Sequence, residues 1–259
     1  MKRDSMTNRV ERLFARLRAE HRCGLIAYVT CGDGDTVSIV EELEAAGADA
    51  IELGIPFSDP IADGPVIQAA AQRALARGTT IHDVFAIARA VRERSEIPLI
   101  AFSYLNPILR YGPERFAAEA KAAGIDSLLL TDLPPEDSAD VRAALHAQSL
   151  GCVFLLAPTS TDPRIRKVDK ASDGFVYYVS TTGVTGTRND LDPALLGRLD
   201  EVRAGLRKPV AVGFGISRHE HFTLLRDHCD AIVVGSAIVR AVAEGRSAGA
   251  VVRTILGRE

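Results

Sequence analysis

Two carboxylates in the stretch Asp49 to Gln68, DAIELGIPFSDPIADGPVIQ, are of a type and spacing that could move protons: Glu52 and Asp63. Glu52 interrupts the aliphatic run Ala50-Ile51-Glu52-Leu53. A carboxylate there must be solvated, paired or used, because burying it bare costs several kcal/mol or shifts its pKa. Side chains alternate along a strand, so Glu52 shares a face with Ala50 and opposes Ile51 and Leu53. That leaves two readings: a buried carboxyl held by hydroxyls and tyrosines for packing, or a general acid–base, which is favoured. Asp63 stands between Ala62 and Gly64-Pro65, where it suits capping a helix that begins at Pro65 as well as it suits touching a substrate.

These groups need elements to hold them. A strand GLIAYVT (24–30) leads through a Gly/Asp turn to a helix stopped at Gly47, and the same strand-then-helix sentence recurs. Further strands are read at 48–53, 97–104, 125–131, 152–157, 175–180, 209–214 and 231–236, with helical segments after each and the Asn106-Pro107 pair as a turn. The strands are continuous apolar runs, the pattern of a parallel sheet covered on both faces. Eight such units without a linker predict an α/β chain folded as a single (β/α)8 TIM barrel over residues 1–259. An open doubly wound sheet is the alternative, but no G-x-G-x-x-G follows the first strand. Residues 7–20 place Val10, Leu13, Phe14 and Leu17 at helical spacing, an extra helix within 1–22 suited to capping the barrel.

Barrel chemistry lies where strands end, which removes most charged residues from consideration. Lys2, Lys121, Lys167, Lys170 and Lys208 all fall elsewhere, so no lysine is placed for a Schiff base. The histidines are assigned to helices or helix starts, and no metal site is expected; His219 and His221 point to different faces of their helix. Carboxylates must do the proton work. Gly213-Phe214-Gly215 after strand seven, and Gly235-Ser236 opening a short helix after strand eight, match the two-loop phosphate site of many barrels, although such glycines also serve simply to turn the chain. The loop 181–190, TTGVTGTRND, reads as a lid over substrate or as an ordinary flexible loop.

The remaining composition is restrictive. A net charge of -3 gives no electrostatic case for nucleic acid or an anionic membrane. The charged N-terminus lacks a signal peptide's apolar core and no long apolar run occurs, so a cytoplasmic protein is expected. Cys23, Cys31, Cys152 and Cys229 are scattered, and are read as buried free thiols. A phosphorylated substrate, carboxylates, a lid, and neither lysine nor metal suit two chemistries: carbon–carbon cleavage of a substrate that carries its own electron sink, or isomerisation by a carboxylate base.

Five motifs in register, ELGIPFSDPIADGP (52–65), Asp132-Leu133-Pro134-Pro135, TGVTG (182–186), GFGIS (213–217) and GSAIV (235–239), resemble the α subunits of tryptophan synthase over nearly the entire chain. The resemblance implies a barrel that cleaves indole-3-glycerol phosphate by a retro-aldol step to indole and glyceraldehyde 3-phosphate. It implies no cofactor on this chain, and an α2β2 complex with a β subunit that carries pyridoxal phosphate and receives the indole; some relatives work alone. By motif, Glu52 would be the acid/base at indole C3 and Asp63 the partner of the indole N–H. Tyr177 would line the mouth, Gly186, Gly215, Gly235 and Ser236 would cradle phosphate with Phe214 beside them, and Thr185 would meet Asp63 when the lid closes. Loop 54–63 and the Asn106-Pro107 turn would face the β subunit. The chain departs from the family's pattern at Ala27-Tyr28 and Ser180-Thr181. A phosphosugar isomerase or epimerase and a non-catalytic regulatory partner are the competing readings.

Overall fold

The computed structural model describes residues 8–179, 193–213 and 215–258. Strands β1 (Gly24–Thr30), β2 (Ala50–Gly54), β3 (Leu99–Ser103), β4 (Ser127–Leu130), β5 (Gly151–Val153), β6 (Leu155–Leu156), β7 (Val176–Val179), β8 (Val210–Gly213) and β9 (Ala231–Val234) form one parallel sheet. Their order is β5-β4-β3-β2-β1-β9-β8-β7-β6. Only Phe154 separates β5 from β6, so the two ends of that order are one stretch of chain and the sheet closes as the predicted barrel. The expected strand 152–157 is thus broken once. At the break the Phe154 amide donates to Ser172 Oγ at 3.2 Å, a side chain standing in for the neighbouring strand.

Helices α1 (Arg9–Ala19), α2 (Thr36–Ala46), α3 (Pro65–Ala76), α4 (Ile81–Arg92), α5 (Leu105–Tyr111), α6 (Pro113–Ala122), α7 (Ala139–Ala147), α8 (Asp162–Ala171), α9 (Pro193–Ala204), α10 (His219–Leu225), α11 (Ser236–Ala243) and α12 (Ala248–Leu256) lie between and around the strands. One of them was not expected. The Asn106-Pro107 pair, read as a turn, lies inside the first turn of α5, where proline's missing N–H costs no intrahelical bond.

Alternation along the strands separates two apolar layers. Ile51, Leu53, Leu25 and Ala27 pack outward under the helices, whereas Ala50, Ile26, Ile100 and Val233 fill the barrel. Val10, Leu13, Phe14 and Leu17 of α1 join the inner layer, with the Phe14 and Phe175 rings 5.1 Å apart. The first helix therefore plugs the end where the strands begin, as its spacing predicts. Each such side chain, fully buried, contributes roughly 1.5–3 kcal/mol.

The same end is fastened by aspartates that precede strands. Asp49 accepts the Leu25 amide at 2.9 Å, Asp126 the Leu99 amide at 2.9 Å, Asp173 the Cys152 amide at 3.0 Å and Asp230 the Val210 amide at 2.8 Å. Each also faces a basic side chain: Arg22, Arg9, His146 and Arg203 respectively. Carboxylates with both an amide and a basic partner, buried at Asp49 and Asp126 and half-buried at Asp173 and Asp230, tie adjacent staves together without an orphaned charge.

Candidate active site

Glu52 points inward from β2 and is fully buried, in register with Tyr28 on β1 and Ile100 on β3. Among the described residues neither of its carboxyl oxygens has a hydrogen-bond partner. The packing reading required hydroxyls or tyrosines to hold it, and none of the described residues does. Burial in apolar surroundings pushes its pKa up to about 8, so the carboxyl keeps its proton at neutral pH.

Asp63 lies on the loop that β2 feeds. The cap of α3 is Gly64, with Pro65 as the first helical residue and no side-chain cap bond. Asp63 therefore does not cap the helix, and that alternative falls. Burial raises its pKa to about 6, a rise held down by the neighbouring Tyr104 hydroxyl. Tyr104, at the end of β3, also accepts the Ala62 amide at 3.0 Å and packs its ring 5.3 Å from Phe57, so it fixes both the loop and the carboxyl. Its place at a strand end was legible in the sequence; its role was not.

Two tyrosines complete the interior of the mouth. Tyr177 on β7 is buried, and its hydroxyl is pushed well above the usual tyrosine range, first by burial and then by Glu52, Tyr28 and Asp63. Those influences put Tyr177 within electrostatic reach of the other three. Tyr28 lies edge-on to Phe102 at 5.2 Å and is likewise raised, by burial and then by Asp63. Glycines make the space. A Cβ on Gly54 would fall 2.6 Å from the Tyr28 ring, and one on Gly213 would fall 2.6 Å from the Tyr177 hydroxyl. Tyr28 was noted in the sequence only as a departure from a pattern.

Beside the tyrosines, the register Gly213↔Val233 sets the loops after β8 and β9 next to each other. Gly215 has φ +64, a left-handed conformation that glycine adopts without strain. Gly235 caps α11, whose first residue is Ser236, and the opening amides of that helix have no intrahelical acceptor. Such a turn attracts an anion through its N–H groups and dipole. Thr185, Gly186 and Phe214, with the whole loop 181–190, lie outside the described residues. Lys121, Lys167 and Lys170 are carried by α6 and α8, away from the strand ends. Among the described residues no helix is long and apolar enough to cross a membrane.

A TIM barrel whose mouth holds a buried glutamic acid with a raised pKa, a second carboxyl and, beside them, a glycine turn and a helix amino end suits one class: barrel enzymes of the acid–base, phosphate-binding kind. A family model described as tryptophan synthase alpha chain matches residues 14–255. The chain is 52% identical over 245 residues to the tryptophan synthase alpha chain of Solibacter usitatus, covering 93% of this chain and 92% of that one. It is 46% identical to the alpha chain of Geobacter sulfurreducens, over 90% of this chain and 89% of that one. Among solved structures, the alpha subunit from Legionella pneumophila superposes with a TM-score of 0.89 at 35% identity, covering 96% of this chain and 97% of that one. A chain from work on the tryptophan synthase a2b2 complex of Pyrococcus furiosus gives 0.86 at 40% identity, covering 90% of this chain and 98% of that one. The chain belongs to the tryptophan synthase alpha chain family.

Proposed function

We propose that this mouth, in one barrel domain spanning the chain, cleaves indole-3-glycerol phosphate by a retro-aldol reaction to indole and glyceraldehyde 3-phosphate. The observation that carries the reading is the place of Glu52: fully buried and without a hydrogen-bond partner among the described residues, so that burial lifts its pKa to about 8. A carbon–carbon bond to an indole ring breaks only if the ring can take the electrons. Proton delivery to indole C3 by Glu52 makes the ring a cationic sink, and the carboxylate left behind is a base for the side-chain hydroxyl proton. Loss of that proton forms the aldehyde, the bond to C3 breaks, and its electron pair neutralises the ring. One proton given and one taken returns Glu52 to its starting state.

Asp63, ionised above about pH 6, accepts the indole N–H and balances the positive ring. Tyr104 holds it in place. The phosphate is held by the Gly215 turn and the amino end of α11, with Gly186, Phe214 and Ser236 completing the cradle. Tyr177 walls the ring, and Thr185 meets Asp63 as the lid closes.

This chain carries no cofactor in the reaction; indole passes to a β subunit that carries pyridoxal phosphate, in an α2β2 assembly. Two exposed apolar side chains support a partner surface there: Ile61 on the loop 54–63, 85% exposed, and Leu109 on α5, 54% exposed. The enzyme acts in tryptophan biosynthesis in the cytoplasm. The test measures indole released from indole-3-glycerol phosphate by the purified chain, alone and with a β subunit. Wild type releases indole and Glu52→Gln, folded by circular dichroism, does not; near-normal turnover in that variant would sink the assignment.

A further inference from the structure

Cys23 and Cys229 are 206 positions apart in the chain, yet barrel closure brings their sulfurs to 3.8 Å. Cys23 leads into β1 and Cys229 into β9, neighbouring strands whose amino ends are joined by the Gly24 amide donating to the Asp230 carbonyl at 2.9 Å. The pair therefore sits on adjacent staves, whose spacing of ~5 Å lies within the backbone separation a disulfide spans. Their surroundings differ. Cys229 is 2% exposed and its thiol donates to the Leu225 carbonyl at 3.2 Å, while Cys23 is partly exposed. Both line a cleft of about 240 Å3 under α1, shared with Arg18, His21, Arg203 and Arg226. Arg18, His21 and Arg226 are themselves exposed, so a small polar reagent reaches the thiols from solvent. Cys31 and Cys152, 0% and 1% exposed, have no such access and act as internal controls.

We propose that Cys23 and Cys229 form an oxidisable dithiol which a hydroperoxide converts to an intramolecular disulfide, stapling β1 to β9 at the plugged end of the barrel. Cys23, the sulfur that reagent meets first, attacks one peroxide oxygen as its thiolate. The O–O bond breaks, the second oxygen leaves with a proton as water or alcohol, and Cys23 becomes a sulfenic acid. The Cys229 sulfur then attacks that of Cys23; the S–O bond breaks, hydroxide takes the Cys229 proton as water, and the S–S bond forms. Two thiols lose two electrons and the peroxide gains them. The link closes nearly the whole barrel into one loop, so it restricts the unfolded chain far more than the folded one. It lies at the opposite end from Glu52, and the catalytic mouth is left as it was.

The experiment treats the full chain with a small excess of hydrogen peroxide, then counts thiols, maps peptides and measures thermal unfolding. Two of the four thiols disappear, the mass falls by two hydrogens, and one peptide joins Cys23 to Cys229. Dithiothreitol reverses all three changes, and Tm of the oxidised form is higher by about 5 °C. Under the same dose Cys23→Ser, a change at a partly exposed position, keeps its three remaining thiols and shows no rise in Tm. Retention of all four thiols in the wild type, oxidation of Cys23 to a sulfinic acid without a cross-link, or a link only between two molecules would each overturn the proposal.

Discussion

The two ends of this barrel use the same functional group in opposite ways. Where the strands begin, Asp49, Asp126, Asp173 and Asp230 are each held by a backbone amide and a basic side chain. Asp169 on α8 belongs to the same order: burial alone would raise its pKa, but the Arg207 and Lys208 amides and the Arg207 guanidinium take it below the usual value. Where the strands end, Glu52 has no hydrogen-bond partner and Asp63 has a tyrosine among the described residues, and both are raised. A satisfied carboxylate is a fastener, because nothing is gained by moving its proton. An unsatisfied one is a reagent, held in place by a scaffold that the other end keeps closed.

The largest expected effect breaks the mouth. Glu52→Gln lowers indole formation by ~10³-fold or more, at the upper part of the range for a general acid–base. Its stability moves the other way. The folded protein keeps a proton on Glu52 that the unfolded chain releases above its ordinary value of 4.5, so wild-type stability falls as pH rises from there to about 8 and then levels. The full loss is at most about 5 kcal/mol. Urea unfolding at several pH values should show this fall continuing from about pH 6 to pH 8 in wild type and missing over that window in Glu52→Gln, while the fall that the raised Asp63 pKa gives below about pH 6 stays in both.

Asp63→Asn comes next, with turnover down ~10²-fold while the inhibition constant of a simple phosphate ester is unchanged, because the cradle on β8 and β9 is intact. An unchanged rate would leave Asp63 without a catalytic part. Asp126→Asn probes the other end. It weakens the hold on the Leu99 amide and on Arg9, and denaturant midpoints should report a loss of about 2 kcal/mol with turnover per folded molecule preserved. The smallest effect sharpens the boundary between the two roles. Tyr104→Phe removes the hydroxyl that lowers the Asp63 pKa, so the acid limb of kcat/KM moves to higher pH and the rate near pH 6 drops while the rate near pH 8 holds.

How much of this could be read from the chain depends on whether neighbours in sequence or in space decide it. The barrel follows from the recurring strand-then-helix units and the inward aim of Glu52 from local alternation, Ala50 and Glu52 against Ile51 and Leu53, and the structure keeps both. So does the plug, from the spacing of Val10, Leu13, Phe14 and Leu17. The cap of α3 was ambiguous because Asp63 and Gly64 both suit that place, and only backbone geometry gives it to Gly64. Helix α5 was hidden behind Pro107, which ends helices when interior but not in a first turn. Tyr28 and Tyr104 belong to no motif, and their parts show only once their hydroxyls are found against a glycine or a carboxyl. Cys23 and Cys229 look scattered in the chain; their contact exists only because β9 returns to β1.

The plug has one more consequence, in time and not in space. Helix α1 is synthesised before every strand of the barrel, but the inner residues that cover it include Phe175, Ala211 and Val233, which leave the ribosome much later. For most of translation an amphipathic helix has its apolar stripe uncovered and its destination not yet made. The nascent chain therefore carries its own exposed hydrophobic handle until the final strand arrives, and a holding chaperone has its longest opportunity at the very beginning of the sequence.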